Sequence, residues 1–595
     1  MCREYLGGYA LGARLIWDWQ PPGVDPLGPE NVLGFVTGPL TGTPAIIGSR
    51  YMVVGKSPLT GTWGDANSGG SFGPGLRAAG FDAVFLVGRS ERPVYLLLQQ
   101  GRAELRDARQ LWGLETDKVE DALQAELGAG TEVASIGPAG ENRSLISGIV
   151  NNKGRAAARS GLGALMGSKC LKAIAVQGDQ PVPLADEARV RELRKHYLAK
   201  LTGPAVEYYR NYGTCGGVAG ASVSGDAPVK NWQGAGPVDF PNAPAISDDN
   251  VIRYQERRYA CWQCPLGCGG HVRAVYRAEP IQGHKPEYET LAAFGSMTLV
   301  DDLEAIIQAN NLCNAYGLDT ISTGATIAFA MECFQEGLLP AGLTAGLDLG
   351  WGNAAGMLAL ITQMAHRQGL GGLLADGVRK AVEGLGPAAD SLAVHIQGQE
   401  LPMHDPRYLP TLAISYWLDA TPGRHTQGGH WAYELPADSK ARLGIPANED
   451  RYAVAGKAAI FKKVADIIQT VNISGLCQFG YEVLDVQHVP DFLSAVTGWD
   501  ITLDECLVLG ERAGTLRHLF NLREGLNPLE FRLPDRALGR PPLTTGALAG
   551  VEVDVRSLAA EYLAVRDWDP VSAMPSQAKL AALGLGGLAS SLPRR

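Results

Sequence analysis

Apolar positions come in short blocks over the first 185 residues. "NVLGFVTG", "YMVVG", "AVFLVG" and "VYLLL" stand between Gly-, Pro- and Ser-rich turns. Blocks of that length with turn residues on both sides predict β-strands. Past residue 185 the spacing lengthens. "DEARVRELRKHYLAKL" has the period of a charged amphipathic helix and is expected to open a second domain. "DDLEAIIQANNLCNAYG", "TISTGATIAFAMECFQEG", "GMLALITQMAHRQG" and "LADGVRKAVEGLG" continue in the same way. A second boundary is expected near 392, before "AVHIQGQELPMHDPRY", and the tail from 500 onward is again helical, with a Pro-rich stretch at 532–543. The pattern predicts an α+β chain: a β-rich domain over 1–185 and two mainly helical domains over 186–392 and 393–595.

Composition narrows the class. The chain has 595 residues, 46% hydrophobic and 19% charged, with a net charge of −10. That balance is ordinary for a globular chain, and the acidic excess argues against a nucleic-acid surface. No run of 18 apolar residues appears, so no membrane span is expected. The start lacks the basic and apolar regions of a signal peptide. Ten cysteines are spread along the chain, which fits a reducing, cytoplasmic setting in which clustered cysteines mean metal or catalysis.

Three cysteines do cluster, in "CWQCPLGCGG" at 261–270. Cys261, Cys264 and Cys268 are an incomplete shell. A recurring hexapeptide suggests the fourth ligand: "NAYGLD" at 314–319 and "NISGLC" at 472–477 each follow an amphipathic helix. Gly317 and Gly475 fall where a left-handed residue ends a helix. Asn314 and Asn472 then lie in the last turn, and Asp319 and Cys477 lead out. Cys477 is the candidate. A C-x2-C-x3-C run with a remote fourth cysteine suits a 4Fe–4S cluster. Zinc is the alternative, with His271 as a nearby fourth ligand, and a site without metal is the third. Pro265 and Gly267 favour a tight loop with amides facing the sulfurs. Cys2, Cys170, Cys215, Cys313, Cys333 and Cys506 read as small hydrophobes. "PLTGT" occurs at 39–43 and 58–62, either as a recurring tight turn or as two loops lining one site.

In combination and order, "GPLTGT", "GKSPLTG", "ANSGG", "IGPAGEN", "RAAARSGLGALMGSK", the cysteine run, "PEYET", "GLDTISTG", "GLCQF" and "LFNLREGLNP" resemble the aldehyde ferredoxin oxidoreductases over almost the whole chain. The resemblance implies a tungsten, less often molybdenum, bis-molybdopterin cofactor, with Mg2+ between the pterin phosphates. It implies a first domain forming a saddle under the pterins and two helical domains closing over it. By the same resemblance Cys261, Cys264, Cys268 and Cys477 ligate a 4Fe–4S cluster. The pterin-contacting positions fall on Arg50, Asn67, Gly69, Arg155, Ala156, Ala158, Arg159, Asn314, Leu318 and Asp319, with Cys477 between pterin and cluster. Arginine forks suit phosphate, and glycine admits close backbone approach. "SGLGALMG" looks like a dinucleotide loop, but no strand leads into it.

Some positions depart from the family pattern. Asn314 and Asn472 stand where Asp is frequent. Thr421 and Gln427 stand where basic residues are expected, with Arg424 between them. "QANN", Gln308 to Asn311, replaces the Glu-x-x-His of an iron site between subunits, so none is expected here. Relatives usually begin further upstream, so either their first β-hairpin is absent here or the start is misplaced.

The implied reaction takes aldehyde and water to carboxylic acid, two protons and two electrons. The resemblance selects Glu289 as general base and His425, of "PGRHTQGGH", as proton donor or carbonyl-polarising group. Such groups contribute roughly 10²–10⁴-fold each. Glu287 shares a face with Glu289 only if "KPEYET" is extended. His430 is a further candidate, and His404 either supports the site from behind or belongs to a turn. The expected acceptor is ferredoxin or a partner iron–sulfur subunit, in a homo- or hetero-oligomer. Two other readings stay open: a reductive member of the superfamily, such as a benzoyl-CoA reductase catalytic subunit, or a non-catalytic zinc or electron-carrier subunit.

Overall fold

The computed structural model describes residues 1–595 except 345, 430–434, 448, 449, 590, 591 and 593–595; the side chain of 589 is also outside the description. The strand-rich front and helical remainder are as the periodicity predicts. Strands β1 (Leu33–Thr37), β2 (Tyr51–Lys56), β3 (Trp63–Ser68) and β4 (Ala83–Leu86) form an antiparallel sheet in the order β3-β2-β1-β4. Strands β5 (Val94–Gln99), β6 (Arg102–Asp107), β7 (Glu132–Ser135), β8 (Ile149–Asn151), β9 (Arg155–Ala157) and β10 (Leu171–Gln177) form a second sheet in the order β6-β5-β10-β7-β8-β9.

Strands β1 and β2 are buried on both faces, which is why they read as nearly continuous apolar runs. Side chains alternate between two cores. Phe35, Tyr51 and Val53 pack with Leu96, Leu98 and Ile174 of the second sheet. Val36, Met52 and Val54 pack with Tyr9, Ala13 and Ile16 and with Leu516 and Phe520. Those first three residues lie on a helix, Gly8–Trp19, in a region that the strand pattern dominates. Their i, i+4, i+7 spacing places them on one stripe. At the far edge, β6 carries "RAELRD", mostly exposed and charged, which discourages pairing with another chain.

A smaller sheet positions the site. Strands β11 (Gln255–Tyr259), β12 (Gly269–Tyr276) and β13 (Glu279–His284) pair in sequence order. The connection from β11 to β12 is the cysteine loop, and β13 leads into "KPEYET". The hexapeptide helices end as expected: Leu303–Tyr316 stops at Gly317, φ 73°, and Lys457–Ile473 is followed by Gly475, φ 83°. Among the described residues no helix is long and apolar enough to cross a membrane.

Candidate active site

A cavity of about 770 Å³ opens between the first sheet, β9 and the helices. Arg50, Asn67, Gly69, Arg155, Ala156, Ala158, Arg159, Asn314, Leu318 and Asp319 all line it, as do Glu289 and His425. Neither "PLTGT" segment does. Both are turns, and the first braces the site from behind: Thr41 Oγ1 donates to the Arg50 carbonyl at 2.7 Å.

Pairing of β2 with β3 sets Met52 opposite Asn67. Arg50, at the approach to β2, donates from Nη1 to Asn67 Oδ1 at 3.2 Å and from Nη2 to Cys477 Sγ at 3.0 Å. Its own amide donates to the Gly475 carbonyl at 3.0 Å. Arg155, at the start of β9, pairs with Glu287 at 3.2 Å and lies over the Tyr259 ring at 5.0 Å. Arg159 pairs with Asp319 at 3.1 Å, and Asp319 caps the Thr320–Gln335 helix by accepting from the Ser322 amide. Asn67 and Asn472 meet at 3.4 Å. Buried Nε atoms of Arg50 and Arg155, and Nε2 of His284, have no partner, and all three residues line the cavity. Burial, with Arg155 nearby, lowers the His284 pKa to about 3, so the ring is neutral. Unpaired buried donors from two guanidiniums fit a large, phosphate-bearing ligand.

The four expected cysteines converge beside this wall. A Cβ on Gly69 would lie 3.0 Å from Cys261 Sγ. Burial opposes ionisation of Cys261, but Arg155 and Arg50 outweigh it and lower its pKa. Burial raises Cys264 to about 11 and Cys268 to about 12, and in both cases Cys477 and Cys261 add to the rise. The Leu266 and Gly267 amides donate to Cys264 and favour its thiolate. His271 turns away into a ring cluster, 4.8 Å from the His284 ring and 5.5 Å from that of Tyr259.

"KPEYET" is helical where it matters. Glu287 holds the N-cap position of the Tyr288–Phe294 helix without a side-chain capping bond, and Glu289 sits in its first turn, so the two carboxylates diverge. Glu287 binds Arg155 and Thr214. Glu289 enters the cavity: Oε2 accepts from the Met403 amide at 2.8 Å, while Oε1 lies 3.2 Å from His425 Nε2 and 3.5 Å from His404 Nε2. His404 Nδ1 is 2.8 Å from Asp226 Oδ2. The His404 ring stacks on Tyr288 at 4.7 Å and 22°. Burial raises the Glu289 pKa; His404 and the Met403 amide pull against that rise. Among the described residues, Glu289, His404 and His425 are the one group of three such side chains whose ligand atoms all lie within 4.8 Å of one another. His430 lies outside the described residues.

Thr421 and Gln427, at the positions expected to be basic, both bind Asp65 of β3. Asp65 also meets Arg517 at 2.9 Å and Arg424 at 3.6 Å. Burial disfavours its charge, but these guanidiniums win and its pKa is lowered. Arg424, between them in sequence, lines the cavity. Asp65, Asp226 and His284 escape a reading of the sequence. Each lies in a stretch without motif spacing, and only the fold brings it to the site.

Protein-family models match the chain twice: the N-terminal domain of aldehyde ferredoxin oxidoreductase over residues 1–178, and domains 2 and 3 of the same enzyme over 192–585. The tungsten-containing aldehyde ferredoxin oxidoreductases of Pyrococcus furiosus and Thermococcus kodakarensis are each 36% identical, over 98% of this chain and 95% of theirs. The WOR-like subunit of an aliphatic sulfonate oxidoreductase from Pyrococcus furiosus is 31% identical over 71% of each chain. Among solved structures, a chain of the BamBC active-site complex of benzoyl coenzyme A reductase superposes with a TM-score of 0.84. It has 23% identity and covers 99% of this chain and 94% of that one, a likeness of fold.

Proposed function

The chain belongs to the aldehyde ferredoxin oxidoreductase family, and from that premise we propose that it oxidises aldehydes to carboxylic acids at a tungsten bis-pterin centre. Electrons leave through a 4Fe–4S cluster to ferredoxin or an iron–sulfur partner. The observation that carries this reading is Glu289 facing His425 at 3.2 Å inside a cavity whose wall also holds the unpaired arginine donors. The cavity draws residues from all three expected domains, 1–185, 186–392 and 393–595.

Arg50, Asn67, Gly69, Arg155, Ala156, Ala158, Arg159, Asn314, Leu318 and Asp319 would hold the two pterins. Cys261, Cys264, Cys268 and Cys477 would hold the cluster. A metal held there would supply two-electron redox chemistry, and a cluster on the cysteines one-electron chemistry. The chain's own residues do the proton work. Glu289 takes a proton from water at Oε1, and burial, which raises its pKa, makes it a better acceptor. His425 Nε2 donates a hydrogen bond to the carbonyl oxygen. His404, held at Nδ1 by Asp226, passes the Glu289 proton outward. A single zinc fits the cysteines less well. Tetrahedral zinc at about 2.3 Å per bond needs sulfurs about 3.8 Å apart, and no group of three of them, among the described residues, lies within 4.8 Å.

The test is anaerobic purification with elemental analysis, paired with aldehyde-dependent viologen reduction. Tungsten with about four irons and turnover support the proposal. Zinc alone sinks it, and metal without aldehyde turnover moves the chain to reductive chemistry.

A further inference from the structure

One wall of the cavity belongs neither to the expected cofactor positions nor to the proton groups. Tyr208, on the Pro204–Asn211 helix, and Gly217, which precedes the Val218–Ser224 helix, line it beside Tyr288. Tyr208 is 37% exposed, and Ala205, one turn earlier on the same helix and also on the lining, is exposed. This end of the wall is therefore the mouth. Tyr288 is buried and its ring stacks on His404, so the same wall leads inward to Glu289 and His425.

Gly217 stands between the two tyrosines. Its backbone is right-handed, φ −91° and ψ −16°, a conformation open to any residue, so no turn requires glycine here. The missing side chain matters for space. A Cβ there would lie 3.4 Å from Tyr208 Oη and 3.4 Å from Tyr288 Cδ2. Those atoms therefore flank an open slot no wider than twice that distance. A flat ring, in contact on each face at about 3.5 Å, fits such a slot, whereas a saturated ring, thickened by its axial hydrogens, does not. Both walls are fixed. Tyr208 packs on the Gly216 backbone, where a Cβ would come within 2.9 Å of its ring, and lies edge-on to Tyr209 at 5.7 Å. Tyr209 in turn donates to Glu482 and meets the Phe479 ring at 5.5 Å, which anchors its helix across the mouth. Tyr288 Oη donates to the Met403 carbonyl at 2.8 Å. A slot held this way is pre-organised for an aromatic ring, which gains from stacked and edge contacts with its walls.

We propose that Gly217, with Tyr208 and Tyr288, determines the substrate class: the slot takes the flat ring of an aldehyde whose ring and carbonyl are joined by a short arm. The inference rests on the aldehyde reading above. The arm follows from the path inward. From the slot to His425 the wall runs past His404, with ring centroids 4.7 Å apart for Tyr288 and His404 and 5.3 Å apart for His404 and His425. A carbonyl fixed directly to a ring in the slot would stop short of His425.

The probes are hydrocinnamaldehyde, its cyclohexyl counterpart and acetaldehyde, with kcat/KM measured on the holoenzyme with a viologen acceptor. Wild type is expected to favour the phenyl over the cyclohexyl substrate by about tenfold; a merely apolar cavity would favour the more apolar cyclohexyl group. Gly217→Val is expected to lower the ratio of hydrocinnamaldehyde to acetaldehyde kcat/KM by about tenfold, chiefly through KM, because its methyl groups fill the slot. Gly217→Ala, whose Cβ stands at ordinary contact distance, is expected to lower that ratio about threefold. Damage to folding or to cofactor loading would lower both substrates together and leave the ratio unmoved. Binding of hydrocinnamyl alcohol and its cyclohexyl counterpart, by calorimetry, gives a readout without turnover. The proposal is overturned if wild type shows no phenyl preference, or if Gly217→Val keeps the wild-type ratio. Should no aldehyde be oxidised, the aldehyde reading falls and the alcohols decide the slot: a phenyl preference that Gly217→Val removes upholds it, and equal binding of the two sinks it.

Discussion

Glu289 is the proposed base, and its surroundings fix the sign of its pH dependence. Burial raises its pKa and His404 lowers it. The base form is lost as pH falls through that raised value, so the acid limb of kcat/KM is expected above the ordinary glutamate range. Replacing His404 by Gln removes the lowering influence. The limb should then move to higher pH and kcat should fall about tenfold, below the full range for one acid–base group. A pH–rate profile with a viologen acceptor decides it, and an unmoved limb would remove His404 from the proton path. Glu289→Gln should lose about 10²-fold or more in kcat while tungsten and iron contents hold. Activity near wild type would end its role as base. The pair was legible as residue types in "KPEYET" and "PGRHTQGGH". Their meeting was not, because 136 positions separate them (425 − 289) and helix geometry at Glu287 had to send the neighbouring carboxylate elsewhere.

At the scale of elements, two joints carry the site. Gly475 follows the Lys457–Ile473 helix at φ 83°, and a Cβ there would collide with Thr41 Oγ1. The left-handed conformation alone costs a side-chain-bearing residue about 1–2 kcal/mol. Gly475→Ala is therefore expected to destabilise by more than that and to lower bound iron, as it shifts both Cys477 and the carbonyl that receives the Arg50 amide. Thermal unfolding and iron analysis check both outcomes. The second joint is Asp65, which ties β3 to the Leu503–Arg523 helix through Arg517 and to the 421–427 turn. Breaking a buried pair costs about 3–5 kcal/mol, so Asp65→Ala should unfold several kcal/mol earlier in denaturant. Its pKa is lowered from 3.8. The stability it contributes is present in full above that value and fades as pH falls through the lower native one. The hexapeptide turns were legible because glycine marks a left-handed helix end. The Asp65 joint was not, since nothing local distinguishes the Asp of "WGDANS" from a turn residue.

Over the whole molecule, the proposed electron route runs from cavity to surface. Arg50 touches both the cavity and Cys477, and the cysteine loop continues outward to exposed Gln263. Cys477→Ser should disturb the cluster's low-temperature paramagnetic signal and slow viologen reduction, although the substitution lies 209 positions from Cys268 (477 − 268). An unaltered signal with full turnover would dissolve the convergence.

Sequence by itself determined the strand-to-helix division, the cysteine run with its remote fourth member, and the two glycine-terminated helices. All of these are local patterns of polarity, spacing and left-handed backbone that the chain carries before it folds. Tertiary structure alone decided that Glu289, His404, His425 and Asp226 share one wall and that Asp65 gathers two arginines. Those arrangements depend on distances between segments far apart in the chain, and no local pattern encodes a distance of that kind.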